Sequence, residues 1–317
     1  MPGARAPLAD IRVLFCSPGF PRSRELLRER LAGSPLRIVE VEPGRSLEAQ
    51  VGEASALIPS MARISAAVMA AAPLLKLIVQ FGAGLEGVDR AAAEARGIAV
   101  RNVAGANAQA VAELAVFLML ALARGLPQHR RSFAARLVGD PAGSELRGKT
   151  LGVVGLGASG RALAGIARGF GMEVIAVRRT PAPYPDTSWV GGPGDLNELL
   201  GRADYVSLHV PASAETRGLI DAARLARMKP SAYLVNVGRG GLIDRQALLD
   251  ALRERRIAGA GLDVYWEEPP EPSDPLFMLD NVVATPHVGG VTQEALGRIA
   301  DQVATMLREA LLGAQAG

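Results

Sequence analysis

The chain has 317 residues, 49% hydrophobic and 21% charged, a composition typical of a globular protein long enough for two domains. Its net charge is only +3, and its basic residues are scattered among acidic ones, which argues against a dedicated nucleic-acid surface. The single cysteine, Cys16, excludes an internal disulfide and a cysteine-based metal cluster, so we expect no bound metal. Cys16 ends an apolar run, which favours a buried, inert thiol.

The first residues contain no apolar core of a signal peptide. The most apolar helical segment, 110–123, carries Glu113 and is shorter than the roughly 20 residues needed to span a bilayer. We therefore expect a cytoplasmic enzyme with no membrane partner.

The first third of the chain alternates short apolar runs with helical patterns. Strands are predicted at 11–15, 37–41, 56–58, 76–80 and 98–100. This alternation indicates a doubly wound parallel sheet covered on both faces. Gly82, Gly84 and Gly87 follow the fourth strand, at the end where ligands bind in such sheets, although a simple glycine turn would have the same spacing.

Residues 107–124 are apolar nearly all round, which predicts a helix buried on most faces, between two domains or at a subunit interface. Residues 125–148 are polar and contain glycine and proline, so we interpret them as a connection.

A glycine-rich turn follows the next predicted strand, 150–154. Gly155, Gly157 and Gly160 form G-x-G-x-x-G, and a helical pattern begins at Ala158. Gly155 would permit the tight turn, Gly157 would let a pyrophosphate approach the backbone, and Gly160 would let the helix lie close to the strand. This strand–turn–helix context predicts a dinucleotide site, with a purely structural glycine turn as the alternative.

The second strand of this half, 173–177, ends at Arg178-Arg179-Thr180. An acid at this point would hydrogen-bond the ribose 2′-OH of NAD. Two guanidiniums and a hydroxyl suit a 2′-phosphate instead, so NADP is favoured over NAD. The alternative is a solvated basic strand end.

Further strands are predicted at 205–210, 232–237, 261–264 and 282–285, with helices at 245–255 and 293–312. Arg239, Glu268 and His287 follow three of these strands. Each alone has a plain structural interpretation, such as a surface turn or a solvated acidic loop. Because parallel strands end at one edge of a sheet, the three side chains could meet beside a bound nicotinamide.

Six motifs in this order resemble the D-isomer-specific 2-hydroxyacid dehydrogenase family over nearly the whole chain. They are Val111-Ala112-Glu113-Leu114-Ala115, Gly155-Leu156-Gly157-Ala158-Ser159-Gly160, Leu208-His209-Val210-Pro211, Asn236-Val237-Gly238-Arg239-Gly240, Gly261-Leu262-Asp263-Val264 and Thr285-Pro286-His287-Val288-Gly289-Gly290. Ser159 stands where many members have an aliphatic residue.

The resemblance implies roles for the residues on these motifs. Arg239 would bind the substrate carboxylate and polarise the ketone, His287 would be the acid–base residue, and Glu268 its carboxylate partner. Asp263 would hold the nicotinamide amide. The other implied cofactor-binding residues are Gly155, Gly157, Ala158, Ser159, Gly160, Arg178, Arg179, Thr180, His209, Val210, Pro211, Thr216, Val237, Gly238 and Gly289. The implied substrate-binding residues are Ser60, Met61, Gly82, Ala83, Gly84 and Arg239.

The resemblance also implies the architecture. A flavodoxin-like substrate domain would comprise residues 1–103 plus 289–317, and a Rossmann NAD(P)-binding domain residues 104–288. Members of the family typically form homodimers through the cofactor domain and the long helix near 107–124.

The implied reaction is hydride transfer between NAD(P)H and a small 2-oxo acid, giving a D-2-hydroxy acid. Pro59, Ser60 and Met61 bring no charge to the expected substrate pocket, which disfavours a phosphorylated substrate. One alternative is a dehydrogenase of formate or phosphite, although relatives acting on formate carry an amide where Glu268 stands. Another is a non-catalytic dinucleotide-sensing protein that resembles the corepressors of this fold.

Overall fold

A computed structural model describes residues 10–313 of the chain. These residues form two compact units. One contains the chain up to Asn107 and again from Gln293, and the other contains Ala108–Thr292. The predicted domain boundaries, at 103 and 288, fall a few residues before these limits. The outermost parts of the predicted substrate domain, 1–9 and 314–317, lie outside the described residues, and the roles of the two units stay predictions.

The first unit is built on a parallel sheet. Its elements up to Asn107 are β1 (Ile11–Phe15), α1 (Pro21–Leu31), β2 (Leu36–Glu40), β3 (Ala54–Ile58), α2 (Ala66–Ala70), β4 (Leu77–Gln80), α3 (Arg90–Ala95) and β5 (Ala99–Asn102). The strand order β2-β1-β3-β4-β5 is that of flavodoxin-like folds. Cys16, just after β1, is buried, and burial raises the pKa of its thiol to about 12.

The second unit is a larger parallel sheet with helices on both faces. Its helices are α4 (Ala108–Ala123), α5 (Leu126–Ala134), α6 (Ala158–Gly169), α7 (Leu196–Arg202), α8 (Ala222–Leu225) and α9 (Arg245–Arg253). Its strands are β6 (Thr150–Val154), β7 (Glu173–Val177), β8 (Trp189–Gly191), β9 (Tyr205–Leu208), β10 (Tyr233–Asn236), β11 (Gly259–Leu262) and β12 (Val282–Ala284). The chain then returns to the first unit as α10 (Gln293–Leu312), whose apolar face packs on α1.

The strand order of this sheet is β12-β11-β10-β9-β6-β7-β8, which is the Rossmann order extended by one strand. Both faces are buried, since Val153 belongs to the apolar core under α4 and α6 while Val154 belongs to the core under α7 and α9. The predicted fold class, two doubly wound parallel-sheet domains, is therefore confirmed. The order reverses between β6 and β9, and a crevice at such a point is where these folds bind ligands.

Four elements of this unit were not among the predicted ones, namely the strand β8 and the helices α5, α7 and α8. The strand β8 has only three residues, too few to show a periodic pattern. The helix α5 lies within 125–148, so the prediction of a plain connection there was wrong. Gly125 adopts a left-handed conformation before α5, and Pro127 lies in the first turn, where its missing N–H costs nothing. Gln128 Nε2 donates to Asp280 O at 2.6 Å.

The apolar helix α4 packs mainly inside its own unit, against α6, β10 and β11. A Cβ on Gly261 of β11 would lie 2.9 Å from Leu118 Cβ, so this glycine is what lets the helix approach the sheet. Among the described residues no single helix is long and apolar enough to cross a membrane. The helices α4 and α5 have that length and composition only when taken together, and they are bent by 48° relative to each other.

Candidate active site

The glycine turn after β6 has the geometry of a ligand cradle. Gly155 has φ +100°, and its N–H donates to Val177 O at 2.9 Å. A Cβ on Gly160 would lie 2.1 Å from Gly155 O, so only glycine lets α6 start this close to the strand. A Cβ on Gly157 would meet nothing within 4 Å, and this open space lies at the amino end of a 12-residue helix. The turn therefore fits a dinucleotide pyrophosphate.

His209 joins the end of β9 to the first turn of α6. Its Nε2 lies 2.9 Å from Ser207 Oγ, and its Nδ1 lies 3.0 Å from Ser159 Oγ. Burial lowers the pKa of His209 to about 4, so the ring is neutral near pH 7. Val210, next in the chain, covers Gly155, where a Cβ would lie 2.7 Å from Val210 Cγ1.

The loop after β9 also carries Pro211 and Thr216, two of the predicted cofactor residues. Thr216 Oγ1 donates to Pro211 O at 2.8 Å and accepts from Ser213 N at 2.8 Å. The Thr216 hydroxyl therefore closes its own loop, and its contribution to a cofactor site would be to fix the loop's shape.

The end of β7 is basic. Arg178 continues the sheet, since its N–H donates to Gly191 O at 3.0 Å, and its side chain is half-buried. Arg179 and Thr180 are exposed. Within residues 10–313 neither guanidinium forms a hydrogen bond or an ion pair, so both keep their donors for a ligand.

Asn236 holds the turn that carries Arg239. Its Nδ2 donates to Arg239 O at 2.9 Å, and its Oδ1 accepts from Gly238 N at 3.1 Å. Asn236 is fully buried, so both halves of its amide are committed to this turn. The Arg239 guanidinium donates to Gly238 O at 2.7 Å, and Gly238 and Val237 lie beside it at the end of β10.

Glu268 and His287 form a pair, with Glu268 Oε2 2.6 Å from His287 Nδ1. Glu268 Oε1 also accepts from Tyr265 N at 3.1 Å. Burial opposes ionisation of Glu268, but the hydrogen bond and charge of His287, the Tyr265 N–H and the charge of Arg239 outweigh it. The pKa of Glu268 is therefore below its usual value. Arg239 lies near enough to act on this carboxylate, so the three predicted catalytic residues share one edge of the sheet.

Asp263 lies under the loop that presents His287. Its Oδ1 accepts from Thr285 Oγ1 at 2.7 Å and from Val288 N at 2.8 Å, and its Oδ2 accepts from Gly289 N at 2.8 Å. Burial raises the pKa of Asp263 despite these donors. Asp263 is 2% exposed, and its carboxylate holds the loop through these three hydrogen bonds. The sequence did not predict this role.

The predicted substrate residues of the first unit lie on two neighbouring loops. Ser60 and Met61 follow β3, and Gly82, Ala83 and Gly84 follow β4. Each loop is tied to the end of the next strand in the sheet, because Gln80 Nε2 of β4 donates to Ser60 O at 2.9 Å and Asn102 Nδ2 of β5 donates to Ala83 O at 2.5 Å. The side chain of Met61 is exposed, and Ser60 is left-handed at φ +53°.

Two site residues had no predicted role. Asn236 stands inside a motif that the resemblance quoted, but its two hydrogen bonds depend on the turn. Tyr265 donates from its hydroxyl to Thr285 O at 2.7 Å, which links β11 to the loop of His287, and nothing in the sequence pattern marks that contact. In the described part of the chain no cluster of three or more His, Cys, Asp or Glu side chains is arranged to hold a metal ion.

The fold and this edge define an α/β protein with a dinucleotide-binding unit. Residues 116–289 match the family model for the D-isomer specific 2-hydroxyacid dehydrogenase, NAD binding domain. The chain therefore belongs to the D-isomer specific 2-hydroxyacid dehydrogenase family, and the predicted resemblance is confirmed.

Two curated relatives illustrate the match. The chain is 42% identical over 281 residues to D-3-phosphoglycerate dehydrogenase of Mycobacterium leprae, covering 88% of this chain and 53% of that protein. It is 42% identical over 245 residues to glyoxylate reductase of Thermococcus litoralis, covering 74% of each. The chain thus spans about half the length of the D-3-phosphoglycerate dehydrogenases it matches.

Solved structures share the fold over almost the whole chain. The TT0316 protein from Thermus thermophilus is 38% identical with a TM-score of 0.85, covering 96% of this chain and 97% of that one. An NADPH-dependent glyoxylate/hydroxypyruvate reductase from Sinorhizobium meliloti, in complex with NADP and malonate, is 30% identical with a TM-score of 0.81, covering 95% and 93%.

Proposed function

We propose that the protein is an NAD(P)-dependent enzyme that reduces small, unphosphorylated 2-oxo acids to D-2-hydroxy acids. The observation that carries this proposal is the 2.6 Å contact between Glu268 and His287, beside Arg239, at the same sheet edge as the glycine turn. A proton donor, a guanidinium and a dinucleotide cradle are the three parts that reduction of a 2-oxo acid requires.

Arg239 would bind the substrate. A guanidinium presents donors in a planar fork that matches a carboxylate, and it can also polarise the neighbouring ketone oxygen. Asn236 holds the backbone of the Arg239 turn, so the fork would be presented from a fixed base.

His287 would supply the proton. The reduced nicotinamide of a dinucleotide whose pyrophosphate is held by the glycine turn would supply the hydride to the carbonyl carbon. The ketone oxygen then takes the proton from His287 Nε2, the nitrogen that does not face Glu268. Glu268 accepts from Nδ1 and fixes the orientation of the ring.

NADP would be preferred over NAD. Arg178 and Arg179 have no partner among the described residues, and no carboxylate ends β7 to accept from a ribose 2′-OH or repel a 2′-phosphate. The S. meliloti reductase, which is in complex with NADP, shows that the family includes such enzymes.

The substrate would be small and unphosphorylated. Pro59, Ser60 and Met61, the first residues after β3, present no cationic side chain, whereas a phosphate group would need one; the first cation along this loop is the exposed Arg63. The backbone of Gly82, Ala83 and Gly84 would add N–H donors to the substrate carboxylate. The proposed substrate therefore differs from the phosphorylated one in the name of the D-3-phosphoglycerate dehydrogenase relatives.

A homodimer with no nucleic-acid or membrane partner, located in the cytoplasm, completes the proposal. Support for the dimer comes from α5 and the residues after it, where Phe133 is 87% exposed and Val138 is 100% exposed. An apolar surface of this kind on a globular protein favours a protein partner.

The deciding experiment measures oxidation of NADPH and NADH with a panel containing glyoxylate, hydroxypyruvate, pyruvate and 3-phosphohydroxypyruvate. We expect turnover of at least one of the three unphosphorylated acids and little turnover of the phosphorylated one. Formate and phosphite, assayed with NADP and NAD, test the alternative dehydrogenases. Cofactor binding without turnover of any acid would leave the dinucleotide-sensing alternative and refute the proposed enzyme.

A further inference from the structure

The ring of His209 bridges two serine hydroxyls that lie on different elements. Ser207, at the end of β9, is fully buried, and its hydroxyl contacts only His209 Nε2, at 2.9 Å, among the described residues. Ser159, in the first turn of α6, is half-buried, and within residues 10–313 its hydroxyl contacts only His209 Nδ1, at 3.0 Å. The three side chains therefore connect the sheet interior to the helix end that faces the glycine turn.

The neutral ring can carry its proton on either nitrogen, and the two arrangements are not equivalent. With the proton on Nε2, the ring donates to Ser207, and the buried Ser207 hydroxyl proton has no acceptor in the described part of the chain. With the proton on Nδ1, Ser207 donates to Nε2 and the ring donates to Ser159. A buried donor without an acceptor is rarer and costlier than an acceptor with a spare lone pair, so the second arrangement is favoured.

We propose that Ser207, His209 and Ser159 form a one-way hydrogen-bond chain that leaves the Ser159 hydroxyl proton free to donate to the pyrophosphate of a bound dinucleotide. The inference deepens the proposed function and rests on it, because a dinucleotide is the ligand at α6. Since Ser159 Oγ already accepts from the ring, its own proton is directed away from His209. Ser159 thus becomes a cofactor-binding donor, and His209 and Ser207 become positioning residues.

The chain adds a side-chain donor to the backbone N–H groups of the α6 amino end. A hydrogen bond to a charged group contributes about 1.5–3 kcal/mol when well formed, and exposure at the helix end favours the lower limit. Removing the Ser159 hydroxyl should therefore weaken dinucleotide binding by roughly tenfold. Because NADH and NADPH share the pyrophosphate, both cofactors should lose affinity by the same factor.

The first test determines the tautomer of His209 in the protein without cofactor. Long-range proton–nitrogen correlation spectra of protein labelled with ¹⁵N-histidine distinguish a protonated from an unprotonated ring nitrogen. The chain has three histidines, so a His209→Gln variant assigns the signal. We expect the proton on Nδ1, and a ring protonated mainly on Nε2 would overturn the proposal. This result does not depend on enzymatic turnover, so it stands apart from the test of the proposed function.

The second test measures the Kd of NADH and of NADPH by fluorescence titration. Ser159→Ala should bind both about tenfold more weakly, whereas Ser159→Thr, which keeps a hydroxyl, should retain most of the affinity. Ser188→Ala is a matched control, because it removes an exposed hydroxyl that contacts Glu173 at the amino end of β7. Unchanged Kd values in Ser159→Ala, or equal losses in Ser159→Ala and Ser159→Thr, would show that the Ser159 hydroxyl does not contact the cofactor.

Discussion

The side chain of His287 is hydrogen-bonded to Glu268, and its backbone adopts a conformation that is rare for a residue other than glycine. Its φ of +53° lies in the left-handed region, which costs a non-glycine residue of order 1–3 kcal/mol unless the surroundings fix it. Hydrogen bonds on both sides fix it here, because Glu268 accepts from the ring and Asp263 accepts from Val288 N and Gly289 N. The ring is thus held in one orientation before any substrate arrives, as expected of a group that must deliver a proton to a defined atom.

Replacing His287 by alanine should lower kcat for ketone reduction by roughly 10²–10⁴ while leaving cofactor binding intact, because only the proton donor is removed. The measurement is steady-state kinetics with the best 2-oxo acid, alongside cofactor titration. His129→Ala, which removes an exposed histidine of α5, serves as the control. A folded His287→Ala variant with near-wild-type turnover would exclude His287 from the mechanism.

Arg178→Asp should abolish the preference for NADPH. The change restores a carboxylate at the end of β7, which accepts from a 2′-OH and repels a 2′-phosphate. We expect a wild-type preference for NADPH of about tenfold in kcat/KM, weakening as salt rises and lost in the variant. Arg168→Asp makes the same charge change in the last turn of α6 and should leave the preference unaltered. A wild-type enzyme that prefers NADH would mean that both arginines are only solvated surface.

The depressed pKa of His209 predicts a pH dependence of stability. Between its ordinary 6.5 and about 4, the unfolded chain binds a proton that the folded ring does not, so stability is lost as pH falls through this window. The slope is at most about 1.4 kcal/mol per pH unit. Urea unfolding at several pH values should therefore show a shallower loss in His209→Asn than in wild type. His129→Asn should follow wild type, and equal slopes in all three proteins would contradict the shift.

At the scale of elements, the candidate site residues of the second unit follow the carboxyl ends of its strands. The ends of β6, β9, β10, β11 and β12 carry the glycine turn, His209, Arg239, Asp263 and the His287 loop, all on the same edge of one sheet. The loop after β12 differs from the others because its shape depends on a side chain of the neighbouring strand end. Asp263 supplies three acceptor contacts to it, and Tyr265 supplies a donor to Thr285 O.

Asp263→Asn should loosen this loop. An amide has only one acceptor oxygen, so at least one of the three donors would face an N–H₂ group. We expect faster hydrogen exchange of the Val288 and Gly289 amides and a kcat lowered more than cofactor affinity. Asp280→Asn, at an exposed ion pair with Arg255, is the control. If cofactor affinity alone fell and amide exchange stayed slow, Asp263 would instead act on the nicotinamide amide, as the family resemblance implies.

The sequence predicted strands and strand ends well because their signal is local. A short strand-like run followed by a glycine-rich turn, as at 150–157, can be recognised without knowledge of distant contacts. The strand β8 and the helix α5 escaped prediction because one is three residues long and the other is polar, with tertiary contacts such as Gln128 to Asp280 O supplying what local pattern lacks. The hydrogen bonds that Asp263, Asn236 and Tyr265 form with nearby loops were not predictable either, since each depends on the geometry of a folded loop.

At the scale of the whole molecule, the exposed apolar surface of the second unit predicts association. The α5 patch consists of Leu126, Phe133, Leu137 and Val138, all exposed. We expect wild type to be a dimer at micromolar concentration by sedimentation equilibrium, and Phe133→Asp combined with Val138→Asp to be a folded monomer. Leu74→Asp changes an exposed leucine of the first unit and should remain dimeric. A monomeric wild type would refute the dimer.

The first unit is assembled from two separated stretches of chain, and this has a consequence for biosynthesis. On the ribosome, a nascent chain that has reached Thr292 already contains all of the second unit, which can fold as it emerges. The core of the first unit is still open, because Ile299, Val303 and Leu307 of α10 have yet to cover Leu27 and its neighbours on α1. Of the two units, the one whose synthesis begins first is therefore completed last, and during that interval its apolar surface is what a chaperone would need to shield.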